Sequence, residues 1–305
     1  MKTLQKPYVK LAKKLGLPEL WFKREDLHPY GSHKGRSIPQ MIKEYAKLGT
    51  KQFVISSSGN AALAAIIAVQ KHNQNNPTHV RLTVYVGQHI ETEKLERLKR
   101  EITDTSITIE QVENPKQTAF QAEKNSQKNT PPLDGVITAL TKNLRQSTDD
   151  LALRGYSELA DDLSKIPNLE AVFIPTSSGS TAQALGEAFV KMNLPVQIHI
   201  VQTTICHPIA EVFDTNFVPE EKSLAGAIVD KIAHRKDKVV EVIKNTHGSG
   251  WIITNPEIEN AMDLTKENTD FTVSANSALS LAGLLKAQKN NWKWTGAVAC
   301  LITGR

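Results

Sequence analysis

The apolar positions of this chain follow two periods. Short β-branched runs alternate with longer segments whose apolar residues recur every three or four positions, which is the pattern of strands followed by helices. Residues 52–56 read as a strand, and 61–69 as a helix apolar on almost every side, as interior helices are. Residues 81–86 read as a strand. Residues 91–100 read as an amphipathic helix with Leu95 and Leu98 on one side and Glu93/Arg97 and Glu96/Arg100 spaced for pairing on the other. A strand at 106–112 and a helix at 117–126 follow. The stretch 128–150, with Pro131-Pro132 and Asp134-Gly135, is soft and polar and reads as a domain crossing. Beyond it the alternation resumes, with helices at 151–164, 181–192, 256–267 (capped by Asn255) and 278–288, and strands at 170–175, 196–201 and 297–302.

Strands alternating with helices imply parallel sheets covered on both faces, so the expected class is α/β with mostly parallel sheets. Ligands of such sheets bind where strand carboxyl ends meet helix starts. Composition narrows the picture further. With 305 residues, 40% apolar and 23% charged, the chain can bury a sizeable core and is not wholly disordered. No apolar run approaches the ~18–20 residues of a membrane span. The basic, polar first fifteen residues are not expected to form a secretory leader. Two cysteines, Cys206 and Cys300, cannot build a disulfide framework or a four-thiolate metal site, so a reducing, cytoplasmic setting and no metal are expected. The net charge of +5 is scattered; its densest run, residues 234–238, is interrupted by Asp237 and reads as a solvated helix start rather than a nucleic-acid patch.

Four loops could carry chemistry. The first, Gly31-Ser32-His33-Lys34-Gly35, follows a short strand at 20–23 and the acidic pair Glu25-Asp26. It sets Lys34 on the first turn of a helix, where the dipole disfavours a cation. The lysine there is either ordinary and solvated or a desolvated nucleophilic amine. The second, Ser56-Ser57-Ser58-Gly59-Asn60-Ala61, points backbone N–H groups and an amide at an anion, or is a plain N-cap. The third, Thr176-Ser177-Ser178-Gly179-Ser180-Thr181, is a neutral, hydroxyl-rich cradle for a phosphate at a helix start. It lacks both the P-loop lysine and the dinucleotide glycine triplet, which argues against ATP hydrolysis and NAD. The fourth, Thr303, ends a buried strand at the sheet's ligand edge, or simply stops it. A cofactor with an aldehyde, a phenolate oxygen, a ring nitrogen and a phosphate would use all four; pyridoxal 5'-phosphate is such a cofactor.

At these residues the chain resembles a known family. The segment from Phe22 to Lys34, the loop Ser57-Ser58-Gly59-Asn60-Ala61, and the stretch from Glu170 to Gly186 are similar to segments of the tryptophan synthase β-subunit-like, fold type II pyridoxal-phosphate enzymes. So are Cys206-His207-Pro208-Ile209, Ser223-Leu224-Ala225, Ser277 to Leu284, and Leu301-Ile302-Thr303-Gly304. Within that family the chain looks most like threonine synthase. The resemblance implies two three-layer domains. A large cofactor-binding domain would comprise 1–44 and 146–305, and a small one, 45–145, would carry the Asn loop and close over substrate.

It also implies residue roles. Lys34 is the Schiff-base lysine and the base at Cα, and Asn60 meets the phenolate oxygen. Thr176, Ser177, Ser178, Gly179, Ser180 and Thr181 hold the phosphate, and Thr303 meets the ring nitrogen. Ser57, Ser58, Gly59, Asn60, Ala61 and Arg154 bind the amino-acid substrate. A neutral hydroxyl leaves the ring nitrogen less basic than a carboxylate would, which suits elimination or replacement at the side chain better than transamination. Relatives are often dimers, so the resemblance suggests a homodimer acting on a small molecule, with no nucleic-acid or membrane partner.

Departures from threonine synthase concern the substrate. Gly35 stands where Asp is usual, and Ser177, Ser178 and Ser180 stand where the phosphate loop has glycines. Ser274 stands near a frequent Glu, and Ala152 replaces a frequent Arg, although Arg145 and Arg154 are close. The chain stops at Arg305, where relatives continue. The expected activity is a lyase acting on O-phospho-L-homoserine to give L-threonine. The alternatives are a serine/threonine dehydratase or a catalytically degenerate cofactor-binding relative.

Overall fold

Each strand expected from an uninterrupted β-branched run is a strand in the computed structural model, which describes residues 2–128 and 140–304. Pro131-Pro132 and Asp134-Gly135 lie outside the described residues. The chain divides into two compact units, Met1–His28 with Tyr156–Arg305, and Pro29–Gly155. The divisions therefore fall at 28/29 and 155/156, where the sequence reading places 44/45 and 145/146.

In chain order, the first unit opens with β1 (Gln5–Pro7), α1 (Val9–Leu15) and β2 (Glu19–Arg24). The second unit contains α2 (Lys34–Lys47), β3 (Gln52–Ser56), α3 (Asn60–Asn75), β4 (Arg81–Gly87) and α4 (Thr92–Glu101). It continues with β5 (Ile107–Val112), α5 (Pro115–Lys128), β6 (Thr141–Asn143) and α6 (Leu151–Arg154). The first unit then resumes with α7 (Ser157–Leu163), β7 (Leu169–Pro175), α8 (Ser180–Lys191), β8 (Gln197–Thr203) and α9 (Lys236–Asn245). It finishes with β9 (Ser249–Ile253), α10 (Asn255–Asn268), α11 (Ala275–Lys289) and β10 (Ala297–Ile302).

The first unit's sheet runs β1-β2-β10-β7-β8-β9 and is parallel except where β1 meets β2. Along β8, Ile198 packs against α8 at Gly186 and Val201 against α11 at Gly283. That odd spacing puts the two contacts on opposite faces, so helices cover both. Burial on both sides explains the apolar character of β10, all six of whose residues are buried. The second unit's sheet, β5-β4-β3-β6, is wholly parallel. Its core joins Ile38, Met41 and Ile42 of α2 to Leu63 and Ile66 of α3 and to Phe53 and Ile55 of β3. The molecule is an α/β protein with mostly parallel sheets in two units. Among the described residues, no helix is long and apolar enough to cross a membrane.

Several expectations are corrected. The helix expected at 151–164 is two short helices, α6 and α7, interrupted at Gly155-Tyr156. There the Ala152 carbonyl accepts the Ser37 hydroxyl at 2.8 Å, and a Cβ on Gly155 would lie 2.1 Å from the Arg36 carbonyl oxygen. The cap of α10 is Thr254, not Asn255: Thr254 and Glu257 form a reciprocal capping box, and Asn255 sits inside the helix. On α4 the ion pairs are Glu91–Lys94 and Glu96–Lys99, one turn apart at three-residue spacing rather than four. The basic run at 234–238 does open a helix, α9, but its Arg235 is buried, with its guanidinium 3.0 Å from Gln183 Oε1. The strands β1, β6 and β9 and the helix α1 escape the sequence pattern.

Two buried polar groups stabilise the first unit's sheet. The Lys286 ammonium donates to Asp214 Oδ2 (2.7 Å), Asn216 O (3.0 Å) and Ile252 O (2.6 Å), using its three protons on three oxygens. Lys286→Met would leave the Asp214 carboxylate buried without its cation. A loss of about 3 kcal/mol in urea unfolding is expected, partly recovered by adding Asp214→Asn.

His199, fully buried on β8, stacks on Phe173 with centroids 4.5 Å apart, and its Nδ1 accepts the Trp251 indole N–H at 3.2 Å. Its other nitrogen then carries the proton and donates to Gln197 Oε1 at 3.1 Å. Burial pushes this imidazole down from 6.5 to about 3. The folded state keeps it neutral, whereas the unfolded chain protonates it below pH 6.5. Stability linked to His199 is therefore complete above that pH and falls as pH drops toward 3. Urea midpoints of the protein and of His199→Phe, measured from pH 7 to pH 4.5, should show the variant losing a slope of about 1.4 kcal/mol per pH unit. Equal slopes would remove His199 as the titrating group.

Candidate active site

Two helix starts define the candidate site in the second unit. Lys34 is the first residue of α2 and is half-buried; its backbone N–H meets Ser32 Oγ at 3.3 Å. The turn before it depends on Gly31, which has φ 78° and on which a Cβ would lie 2.7 Å from Leu63 Cδ2. Leu63 is three residues into α3, so the lysine turn is packed directly on the first turn of the asparagine helix. Asn60 opens α3 and is half-buried, and its carboxamide makes no hydrogen bond to any described residue. The Ser57 hydroxyl accepts the Gly59 N–H at 3.2 Å, shaping the turn that precedes the helix. Ser58 and Gly59 are exposed and Ala61 is half-buried. Ser58 also borders a cleft of about 390 Å³ lined in addition by Gln88, His89, Lys94 and Glu113. The first-turn N–H groups of α3 have no intrahelical partners, so this loop can receive a carboxylate beside the lysine turn.

Arg154 lies at the end of α6 and is exposed. Arg145 points its Nε at Ser147 Oγ, 3.0 Å away. Ala152 is fully buried.

In the first unit, the hydroxyl-rich loop joins β7 to α8. Gly179 has φ 87°, and a Cβ on it would lie 2.7 Å from Val239 Cγ2, so glycine alone makes the turn. Thr176 turns inward: its N–H goes to Val201 O and its hydroxyl to Ile174 O, both at 2.8 Å. Both of its donors are thus held by the fold. Ser178 Oγ and Ser180 Oγ are 3.1 Å apart. Thr181 is 7% exposed, and its hydroxyl makes no hydrogen bond to any described residue. The loop holds no carboxylate. Hydroxyls at 177, 178, 180 and 181, the N–H groups at the start of α8 and the helix dipole make a donor set that fits a phosphate dianion.

Thr303 lies just past the last residue of β10. In the β10–β7 register Cys300 pairs with Phe173, so Thr303 continues level with Thr176 at the same sheet edge. Its neighbour Gly304 is fixed by Ser277 of α11, whose hydroxyl donates to Gly304 O (2.7 Å) and accepts Gly304 N (3.2 Å). Ser274 adds a bond to the same carbonyl at 2.9 Å. This anchoring links residues 27 positions apart, and no local pattern announces it. Lys34 and the Asn60 loop thus gather in one unit, and the hydroxyl loop and Thr303 in the other.

Known proteins resemble this chain. The mouse L-serine dehydratase/L-threonine deaminase is 30% identical over 145 residues, covering 44% of this chain and 41% of that protein. A catabolic L-threonine dehydratase of Staphylococcus aureus is 26% identical over 150 residues, covering 48% and 42%. The matched region is therefore about two fifths of the length of these curated relatives. Among solved structures, maize serine racemase superposes with a TM-score of 0.78 at 15% identity, covering all of this chain and 88% of its own. Threonine deaminase isoform 2 of Solanum lycopersicum superposes with a TM-score of 0.76 at 15% identity, covering all of this chain and 79% of its own. At such identities these superpositions establish the fold. A family model described as pyridoxal-phosphate dependent enzyme matches residues 4–304, and the chain belongs to that family, with pyridoxal 5'-phosphate as its cofactor.

Proposed function

We propose that this protein is a lyase that eliminates water across Cα and Cβ of L-serine or L-threonine, after which the enamine product tautomerises to an imine that water hydrolyses to a 2-oxo acid and ammonia. The observation that carries this reading is the packing of the lysine turn on the asparagine helix, with the Asn60 amide left open to a ligand. The names of the curated relatives support the dehydratase over a threonine synthase. So does the chain itself. Recognition of a phosphorylated substrate needs a second cationic anion site, yet Ala152 stands at the position expected to carry an arginine.

When bound, the cofactor supplies an electron sink that weakens bonds at Cα and lets a β-substituent depart. Lys34 would tether it, and the same amine, when not so engaged, takes the proton from Cα and can pass it to the departing hydroxyl. Residues 57–61 hold the substrate carboxylate through N–H groups and hydroxyls, which fixes the Cα–H bond toward the lysine. Asn60 donates its amide to the ring oxygen. Ser177, Ser178, Ser180 and Thr181, with the N–H of Gly179, grip the phosphate, and Thr176 shapes that turn from inside. Thr303 offers a neutral hydroxyl to the ring nitrogen, so the nitrogen is not forced to stay protonated, which favours β-elimination over amino transfer.

The purified protein should absorb violet light, and borohydride should fix the cofactor to Lys34, as read by peptide mass. Lys34→Ala should lose that adduct and at least ~10³-fold of turnover, since it removes both tether and base. Release of 2-oxo acid from L-serine or L-threonine supports the proposal; phosphate release from O-phospho-L-homoserine would replace it with threonine synthase. A further expectation concerns Thr303→Asp, which should lower turnover about tenfold or more while cofactor retention changes little. Unchanged turnover would remove Thr303 from the ring-nitrogen role.

A further inference from the structure

Between the short turn at Ala210–Val212 and α9, residues 213–235 contain no helix or strand, an unusual length of irregular chain for a packed unit. It is nevertheless fastened point by point. Asp214 is held by Lys286 and by the Ile252 N–H at 2.8 Å. Glu220 accepts the Asn255 N–H at 2.9 Å and the Thr204 hydroxyl at 2.7 Å. Asn255 takes the Leu224 N–H and donates to Lys222 O, both at 2.8 Å, and Asn276 takes the Ala227 N–H at 2.9 Å. Last, Ser177 Oγ accepts the N–H groups of Val229 and Asp230 at 3.1 and 3.2 Å. Thr204 follows β8, Asn255 follows β9, Asn276 opens α11 and Ser177 follows β7, so the segment crosses the carboxyl edge of the sheet and ends on the phosphate loop.

The last fastening differs in kind from the others. A serine hydroxyl has two acceptor positions and one proton. Both bonds of Ser177 are accepted ones, so both acceptor positions are filled, and its proton has no acceptor among the described residues. A phosphate oxygen seated at the start of α8 would take that proton. Donating it makes the oxygen a better acceptor for the two N–H groups, because hydrogen bonds in a chain strengthen one another. A glycine at 177, as in the family's usual loop, would keep the phosphate turn and lose the link.

We propose that Ser177 is a positioning residue that makes phosphate binding and the fastening of the 229–230 turn a single event. The inference rests on the cofactor-binding reading above and extends it to a segment that the reading leaves without a role. Phosphate in the cradle holds the end of the 213–235 strap on the ligand edge, and loss of phosphate loosens it.

Trypsin reads the strap at the exposed Lys222 and Lys231. For the wild-type protein freed of cofactor, adding pyridoxal 5'-phosphate should slow cleavage at Lys231 at least fivefold, while pyridoxal, which lacks the phosphate, should not. In Ser177→Gly the phosphate-dependent protection should disappear, and the cofactor should dissociate several-fold faster into an apo-protein trap. Ser177→Thr, which keeps the hydroxyl, should restore both. Equal protection in Ser177→Gly and wild type, or equal protection by pyridoxal, overturns the proposal. A wild-type protein that forms no reducible adduct at Lys34 would overturn the cofactor-site reading instead, so the two failures are distinguishable.

Discussion

Everything at the ligand edge of the first unit depends on the double pairing of β10. Its residues hydrogen-bond to β2 on one side and β7 on the other, both in parallel, with Ile302 against Arg24 and Cys300 against Phe173. Parallel pairing sends the carboxyl ends of neighbouring strands to one edge. That alone sets Thr303 level with the hydroxyl loop after β7. A one-residue slip would turn every side chain of β10 to the opposite face and move Thr303 along the edge. The bonds of Ser277 and Ser274 to Gly304 oppose such a slip by fixing the end of the strand.

The same economy of means recurs in the second unit. A helix start supplies unpaired N–H groups and a dipole without any charged side chain. The start of α3, carrying Asn60, is one; it lies against the turn that carries Lys34, whose own first N–H groups are taken up by Ser32 and His33, and the contact of Gly31 with Leu63 holds the two in place. The hydroxyl loop before α8 follows the same principle. Its side-chain donors are neutral serines and threonines. The polar groups buried outside the site behave differently. Lys286 with Asp214, and Lys23 with Asp162 at 2.9 Å, pair opposite charges directly. Such closed pairs fasten the scaffold and leave no capacity for a ligand.

The elements legible in the sequence were those whose own residues determine them. The segments β3 and β10 were read to the residue, since each is a short, nearly continuous apolar run bounded by breaks in pattern. Strands β1 and β6 were not legible, because each has three mostly polar residues and is a strand only through its partner. The strand β9 is not legible because it opens on Ser249-Gly250, which reads as a turn until pairing with β8 makes it a buried strand. The cap of α10 was misplaced by one residue, since Thr254 and Asn255 are both good caps and only the reach of Glu257 chooses between them. The site loops were legible as clusters of unusual residue types at strand-to-helix turns. Their fastenings were not: Ser177 meets residues 52 and 53 positions away, and Ser277 meets one 27 away. Pattern along the chain carries no record of such distances.

The central place of β10 also bears on how the molecule is made. Residues 29–155 form a unit from one continuous stretch and can fold on the ribosome soon after they emerge. The other unit cannot. Its β2 and β7 are not neighbours in the finished sheet; the gap between them is filled by residues 297–302, which are synthesised after the other five strands of that sheet. Until those residues arrive, the facing edges of β2 and β7 stand open, each a template for pairing with a stray chain. The strand that carries Thr303 to its edge is thus also the one that covers the two strand edges most prone to stray pairing.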